Sequence, residues 1–265
     1  MSFRQAFLFF IGCWLIIFLT GIAFSFLLRF VSSGAYSPYS MLYPVVTMLT
    51  SYGSIWLLMV RKKATVFSMR DYVPFKMDFI VPVMVMVLGI QIANQPFLDL
   101  YNRIFFPGLE KLIESTPPES GLHLLSSFLS AVMIAPVAEE YLFRKIIFGQ
   151  LCKTYTASDA VLVSSVFFSL IHLPLYGKLI PTFIIGCVSC MIYYHTGKLV
   201  YSILFHLLNN AFAMGWDIFF PELWRAYTAL NFNFLYWLVA GSGIGIFGLG
   251  IQNFLKTKTE TRENL

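Results

Sequence analysis

Apolar residues run through this chain in blocks of about twenty, a length that predicts bilayer-crossing helices instead of half-buried strands. Eight blocks can be drawn, centred on residues 6–29, 40–60, 78–97, 124–146, 158–174, 179–195, 199–215 and 232–254. They predict an all-α, polytopic transmembrane helix bundle of about eight spans, with the fifth to seventh short or closely linked. The opening run, MSFRQAFLFFIGCWLIIF, is too long for the core of a signal peptide and lacks a small-residue cleavage pattern, so it is expected to stay as the first helix. Residues 99–121 (DLYNRIFFPGLEKLIESTPPESG) carry helical spacing up to a Pro-Pro stop and are expected to form an external amphipathic helix. The chain then divides into N-terminal transmembrane helices with this external segment (1–120), a helical core (121–215), and a last transmembrane helix with its tail (216–265).

Composition agrees with a lipid solvent. Of 265 residues, 58% are hydrophobic and 12% charged, against about 25% charged in an ordinary globular domain. Mean hydropathy is +0.75. The 28 phenylalanines and 14 tyrosines suit lipid-facing and interfacial positions. The net charge of +5 fits cytoplasmic loops at an anionic leaflet; no basic stripe interleaved with aromatics points to nucleic acid. Arg61, Lys62, Lys63, Arg70 and Lys76 crowd the second loop, which makes that loop cytoplasmic and, by alternation, puts both termini inside. The bilayer is therefore the expected partner, and a multi-pass location in a bacterial plasma membrane the simplest address. Cys13, Cys152, Cys187 and Cys190 do not make a disulfide framework, and the CxxC of Cys187 and Cys190 on an apolar helix reads as packing.

Against this background the polar residues inside apolar blocks stand out. Glu139 and Glu140 sit side by side in AVMIAPVAEEYLFRKIIF, where each carboxylate costs roughly 2.5 to 3.5 kcal/mol on insertion scales. Glu140 and Arg144 are four apart, share a helix face and can pair. Glu139 projects about 100° away and stays available. By itself this pattern leaves a packing network and catalysis about even. Two further motifs shift the balance: Phe168 and His172 in FFSLIHLP, and His206 and Asn210 in LFHLLNNAF, each pair one helical turn apart. His123 and His195 fall at the ends of blocks and are assigned to interfaces, while Asn209 is assigned to helix packing.

With EExxxR at Glu139, Glu140 and Arg144, FxxxH at Phe168 and His172, and HxxxN at His206 and Asn210, the sequence resembles the CAAX protease and bacteriocin-processing (CPBP, or Abi) family of intramembrane proteases, related to the Ras-converting CAAX endopeptidase. The resemblance covers residues 120–215. It implies an intramembrane endopeptidase that hydrolyses a peptide bond of a membrane-associated protein or peptide, whether CAAX-terminated, a leader or a signalling peptide. In that role Glu139 would act as the general base on water. His172 would hold the water or return a proton to the leaving amine, and His206 with Asn210 would form an oxyanion hole. Glu140 and Arg144 would orient these groups, and Phe168 would keep the site dry.

Two other chemistries compete with metal-free catalysis by this set. Zinc could be held by Glu139, His172 and His206, although HExxH is absent and Asn210 is a poor zinc ligand. A membrane protein without catalysis, serving bacteriocin self-immunity or regulation of a sensor kinase, would use the same residues structurally. A proton-coupled transporter is disfavoured by the lack of matching Gly/Pro-interrupted spans in the two halves. The expected topology also contains a conflict of depth: Glu139 falls towards the cytoplasmic end of its span and His172 towards the external end of the next. Helix breaks at Pro136 and Pro174 are expected to reconcile them.

Overall fold

The computed structural model describes residues 1–31, 38–61, 75–106, 121–173 and 175–257. Among these residues there is no strand, and each of the eight expected apolar blocks coincides with a helix. The helices are α1 (Phe3–Val31), α2 (Pro38–Arg61), α3 (Ile80–Phe105), α4 (Gly121–Leu151), α5 (Ala157–Leu170), α6 (Leu179–Thr196), α7 (Leu199–Phe219), α8 (Pro221–Ala229) and α9 (Phe234–Lys256). Six helices, α1 to α4, α6 and α9, are long and apolar enough to cross a membrane. The bent pair α7 and α8 would make a seventh.

The expected count of eight fails at the fifth block. α5 has 14 residues, a rise of about 21 Å against a hydrocarbon core of about 30 Å. Its start is fixed chemically: Thr156 caps it by accepting the Asp159 N–H at 3.2 Å and donating its hydroxyl to the Asp159 carboxylate at 2.6 Å. The expected external amphipathic helix over 99–121 is also corrected in part. Residues 99–105 are the last turns of α3, because the apolar pattern runs on through the internal Pro96 without a break. The remainder of that segment, like most of the basic second loop, Pro174 and the C-terminal tail, lies outside the described residues.

α4 is continuous but changes register twice. It passes from α-helix into π-helix at Leu129–Ile134, returns to α over Ala135–Glu140, and widens again over Tyr141–Phe148. Pro136 therefore does not break the helix as expected. In the π turn the Ala135 N–H reaches back to Ser130 O, and Pro136, which has no N–H to offer, sits where the register tightens again.

Without a hydrophobic drive between lipid-bathed helices, close backbone contact between small residues holds them together. The seam of α3 and α9 is built this way. A Cβ on Gly243 would lie 2.8 Å from Ala93 N and 2.9 Å from Gly89 O. One on Gly250 would lie 2.7 Å from Met86 N, and one on Gly89 would strike the backbone of Phe247. Gly241, Gly245 and Gly248 of the same helix face open space. α5 and α6 meet similarly through Ser165 and Gly186, with Cys190 buried at the seam as a free thiol. α6 ends on Gly197 at φ 64°, a left-handed cap that turns the chain directly into α7.

Replacing Gly243 by leucine should lower the thermal midpoint of the purified protein in detergent by several degrees, since the obstructing atoms are backbone and cannot swing aside. Gly245→Ala on the open face should leave that midpoint unchanged or slightly raised, as followed by circular dichroism.

Candidate active site

The polar residues that the sequence scatters over three blocks meet in the interior of the bundle. Glu139, Glu140, Arg144 and His206 are all buried, with Glu140 and Arg144 at 0% exposure, while His172 and Asn210 are half-buried. The conflict of depth disappears because α4 runs on to Leu151, past the expected end of its block at residue 146. Measured from the turn that joins α4 to α5, Glu139 stands about 18 Å up α4, and α5 carries the chain to His172 after about 21 Å. His172 follows the end of α5 in a turn closed by Leu175 N–H on His172 O at 2.9 Å.

Electrostatics organise the centre. Arg144 Nε lies 3.0 Å from Glu140 Oε2, an ion pair between two fully buried groups whose angle is not that of a hydrogen bond. The other carboxylate oxygen, Glu140 Oε1, is 3.0 Å from His206 Nδ1. Paired with Arg144, the Glu140 carboxylate accepts, so Nδ1 carries the proton and Nε2 is left facing Glu139. His206 Nε2 and Glu139 Oε2 are 3.9 Å apart, too far for a direct hydrogen bond. Glu139 Oε2 has no hydrogen-bond partner among the described residues.

His172 is fixed in the complementary sense. Its Nδ1 is 2.8 Å from Phe168 O, a carbonyl that can only accept, so this nitrogen also holds the proton and Nε2 keeps a lone pair. The ring interacts electrostatically with both Glu139 and His206. Phe168 is the packing hub of the group. Its edge-on contacts reach His172 at 5.2 Å, His206 at 5.4 Å and Phe143 at 5.4 Å, and the Arg144 guanidinium stacks over its face at 4.2 Å. The expectation that Phe168 packs the site thus has a specific basis: one ring positions both histidines and covers the arginine.

Asn210 makes a contact that spacing did not reveal. Its Nδ2 donates to Ala131 O at 2.8 Å. That carbonyl lies in the first π turn, where the Ala135 N–H has moved on to Ser130 and Pro136 has none. One of the two amide N–H groups of Asn210 is therefore committed to α4, and the second remains.

Two functional neighbours were missed because they lie on α2 and α3, outside the motif region. Tyr52 donates its hydroxyl to Glu139 Oε1 at 2.6 Å, and Gln91 Nε2 donates to both Asn209 O and Asn209 Oδ1 at 2.9 Å. Polar side chains in apolar blocks were the available signal, but a tyrosine among many tyrosines does not announce itself. Asn209 keeps its expected packing role, clamped by Gln91. His195 packs on Phe254 at the end of α6.

The fit to zinc is poor. Among the described residues, no three His, Cys, Asp or Glu side chains converge on a point where a metal ion could be held.

Residues 121–212 match the model of the family "Type II CAAX prenyl endopeptidase Rce1-like". The chain is similar to the membrane-embedded CAAX protease MroQ of Staphylococcus aureus (strain USA300), 33% identical over 111 residues, or 39% of this chain and 44% of that protein. It is also similar to a Bacillus subtilis (strain 168) protein carrying the name membrane peptidase YdiL, 35% identical over 82 residues, or 31% and 33% of the two chains. The similarity thus spans less than half the length of either relative. No solved structure matches the chain. With its apolar helices, these relatives make the chain a multi-pass bacterial membrane protein.

Arg144→Met should destabilise the protein by about 3 to 5 kcal/mol, because it strands the Glu140 anion in the interior. The double variant Glu140→Gln with Arg144→Met should recover part of that loss. Denaturant unfolding in detergent, taken as a double-mutant cycle, measures both.

Proposed function

We propose, for a chain whose residues 121–212 belong to the Rce1-like CAAX protease family, an intramembrane endopeptidase in which Glu139 activates water without a metal. The observation that carries this reading is Glu139 Oε2, without a hydrogen-bond partner among the described residues, buried opposite His206 Nε2 and flanked by the His172 ring. A buried anionic oxygen lacking a protein donor is a place for a water molecule.

In the proposed reaction Glu139 Oε2 takes a proton from that water while the water oxygen adds to the scissile carbonyl carbon. His172 suits the task of holding the water, since its Nε2 accepts in the neutral ring. The negative charge on the carbonyl oxygen is met by the remaining N–H of Asn210 and by the His206 ring. Collapse of the tetrahedral species breaks the C–N bond, and the proton held by Glu139 passes to the leaving amine. Glu140 and Arg144 fix the His206 ring, and Phe168 excludes bulk water. The lack of a three-ligand cluster supports water activation by carboxylate in place of zinc. The proposed substrate class is a membrane-associated peptide or protein, a CAAX-terminated prenyl peptide being the first to test.

Cleavage of a quenched fluorogenic farnesylated CAAX peptide by purified protein tests the reading. Glu139→Gln should abolish cleavage, Asn210→Ala should reduce kcat by about 100-fold or more, and a strong chelator should leave the wild type unaffected. Inhibition by chelator that added zinc reverses would overturn the metal-free mechanism.

A further inference from the structure

Glu139 is held from outside the segment that carries the family similarity. α2 lies along α4 with two side chains one turn apart: Trp56 against the Tyr141 ring at 5.5 Å, and Tyr52 with its hydroxyl on Glu139 Oε1 at 2.6 Å. Both Tyr52 and Glu139 are buried, at 9% and 5% exposure, so the phenol and the carboxylate meet where water does not compete. The contact divides the carboxylate. Oε1 has a donor, and Oε2 has none among the described residues.

We infer that Tyr52 is a positioning residue for Glu139: its phenol binds Oε1, fixes the plane of the carboxylate, and leaves Oε2 as the oxygen presented to water. This rests on the reading of Glu139 as the general base. A hydrogen bond to a charged acceptor is stronger than one to a neutral acceptor, so the contact holds the carboxylate plane firmly. The groups that face Glu139 besides Tyr52 are His206 of α7 and His172 after α5, while Glu140 and Arg144 of its own helix pair with each other. Cys13 of α1 faces the Tyr52 hydroxyl. Among them Tyr52 is the one that donates directly to Glu139 in the described residues, and Tyr52→Phe removes that bond with the ring retained.

The test is an infrared titration of the Glu139 carboxyl in full-length protein in detergent, its C=O band identified by disappearance in Glu139→Gln. Tyr52→Phe should raise the midpoint of that band by about one pH unit, the size expected for losing a hydrogen bond to a charged acceptor. 3,5-Difluorotyrosine at position 52, a more acidic donor of nearly the same shape, should lower it. The same displacements should appear in the acidic limb of the kcat/KM profile for the fluorogenic farnesylated peptide, with kcat/KM falling about tenfold in Tyr52→Phe and KM nearly constant. Equal midpoints in wild type, Tyr52→Phe and the fluorinated protein would overturn the assignment, even if Tyr52→Phe were slow. Cleavage that survives Glu139→Gln would instead remove the general-base reading. The band positions would then still report whether Tyr52 holds the carboxylate.

Discussion

The ion pair of Glu140 and Arg144 is the constraint around which the interior is arranged. Two charges at zero exposure in an apolar bundle are tolerable only when each neutralises the other and further groups complete their shells. Here the completion is asymmetric. Glu140 gives its second oxygen to His206, which settles the tautomer of that ring, while Arg144 turns its guanidinium face to Phe168. Phe168 in turn packs on both histidines. Orientation thus propagates from one charge pair through an imidazole and a phenyl ring, and Glu139 is left as the carboxylate not consumed by structure.

The backbone contributes as much as the side chains. Two π segments bracket Ala135–Glu140, and the first leaves the Ala131 carbonyl to the Asn210 amide. Such turns recur at functional sites because the wider register releases a backbone group for use elsewhere. In a membrane, where an unbonded carbonyl has no water to turn to, the release is stable only if another helix supplies the donor. Asn210 supplies it from α7, and Gln91 of α3 holds the neighbouring Asn209 by two hydrogen bonds. α7 is thereby fixed in rotation from both sides.

Much of this was legible in the sequence. Each of the eight apolar blocks fell on a helix, though none foretold α8, and helical spacing put Glu140 with Arg144 and Phe168 with His172. Block length could not say that α5 stops after 14 residues, since the apolar pattern continues through Ile171 and Leu173 into a turn. Nor could it say that α4 runs on to Leu151, and that extension is what brings Glu139 level with His172. Pro136 also misled: it suggested a break, and a π register absorbed it instead. The π turns are set by which backbone groups find partners on other helices, information that no local pattern holds. Tyr52 and Gln91 escaped for a related reason, because their partners lie 87 and 118 residues away in the chain.

The glycine seam between α3 and α9 gives the molecule an order of assembly. Gly243 and Gly250 come from α9, so α3 takes its close-packed seat only after α9 has been made. Gln91 and its clamp on α7 ride on that same α3. A nascent chain still on the ribosome holds Glu139 and His206 without the helix that locks them in register. The core is therefore completed when α9 joins it, and the order of synthesis times when the site is whole.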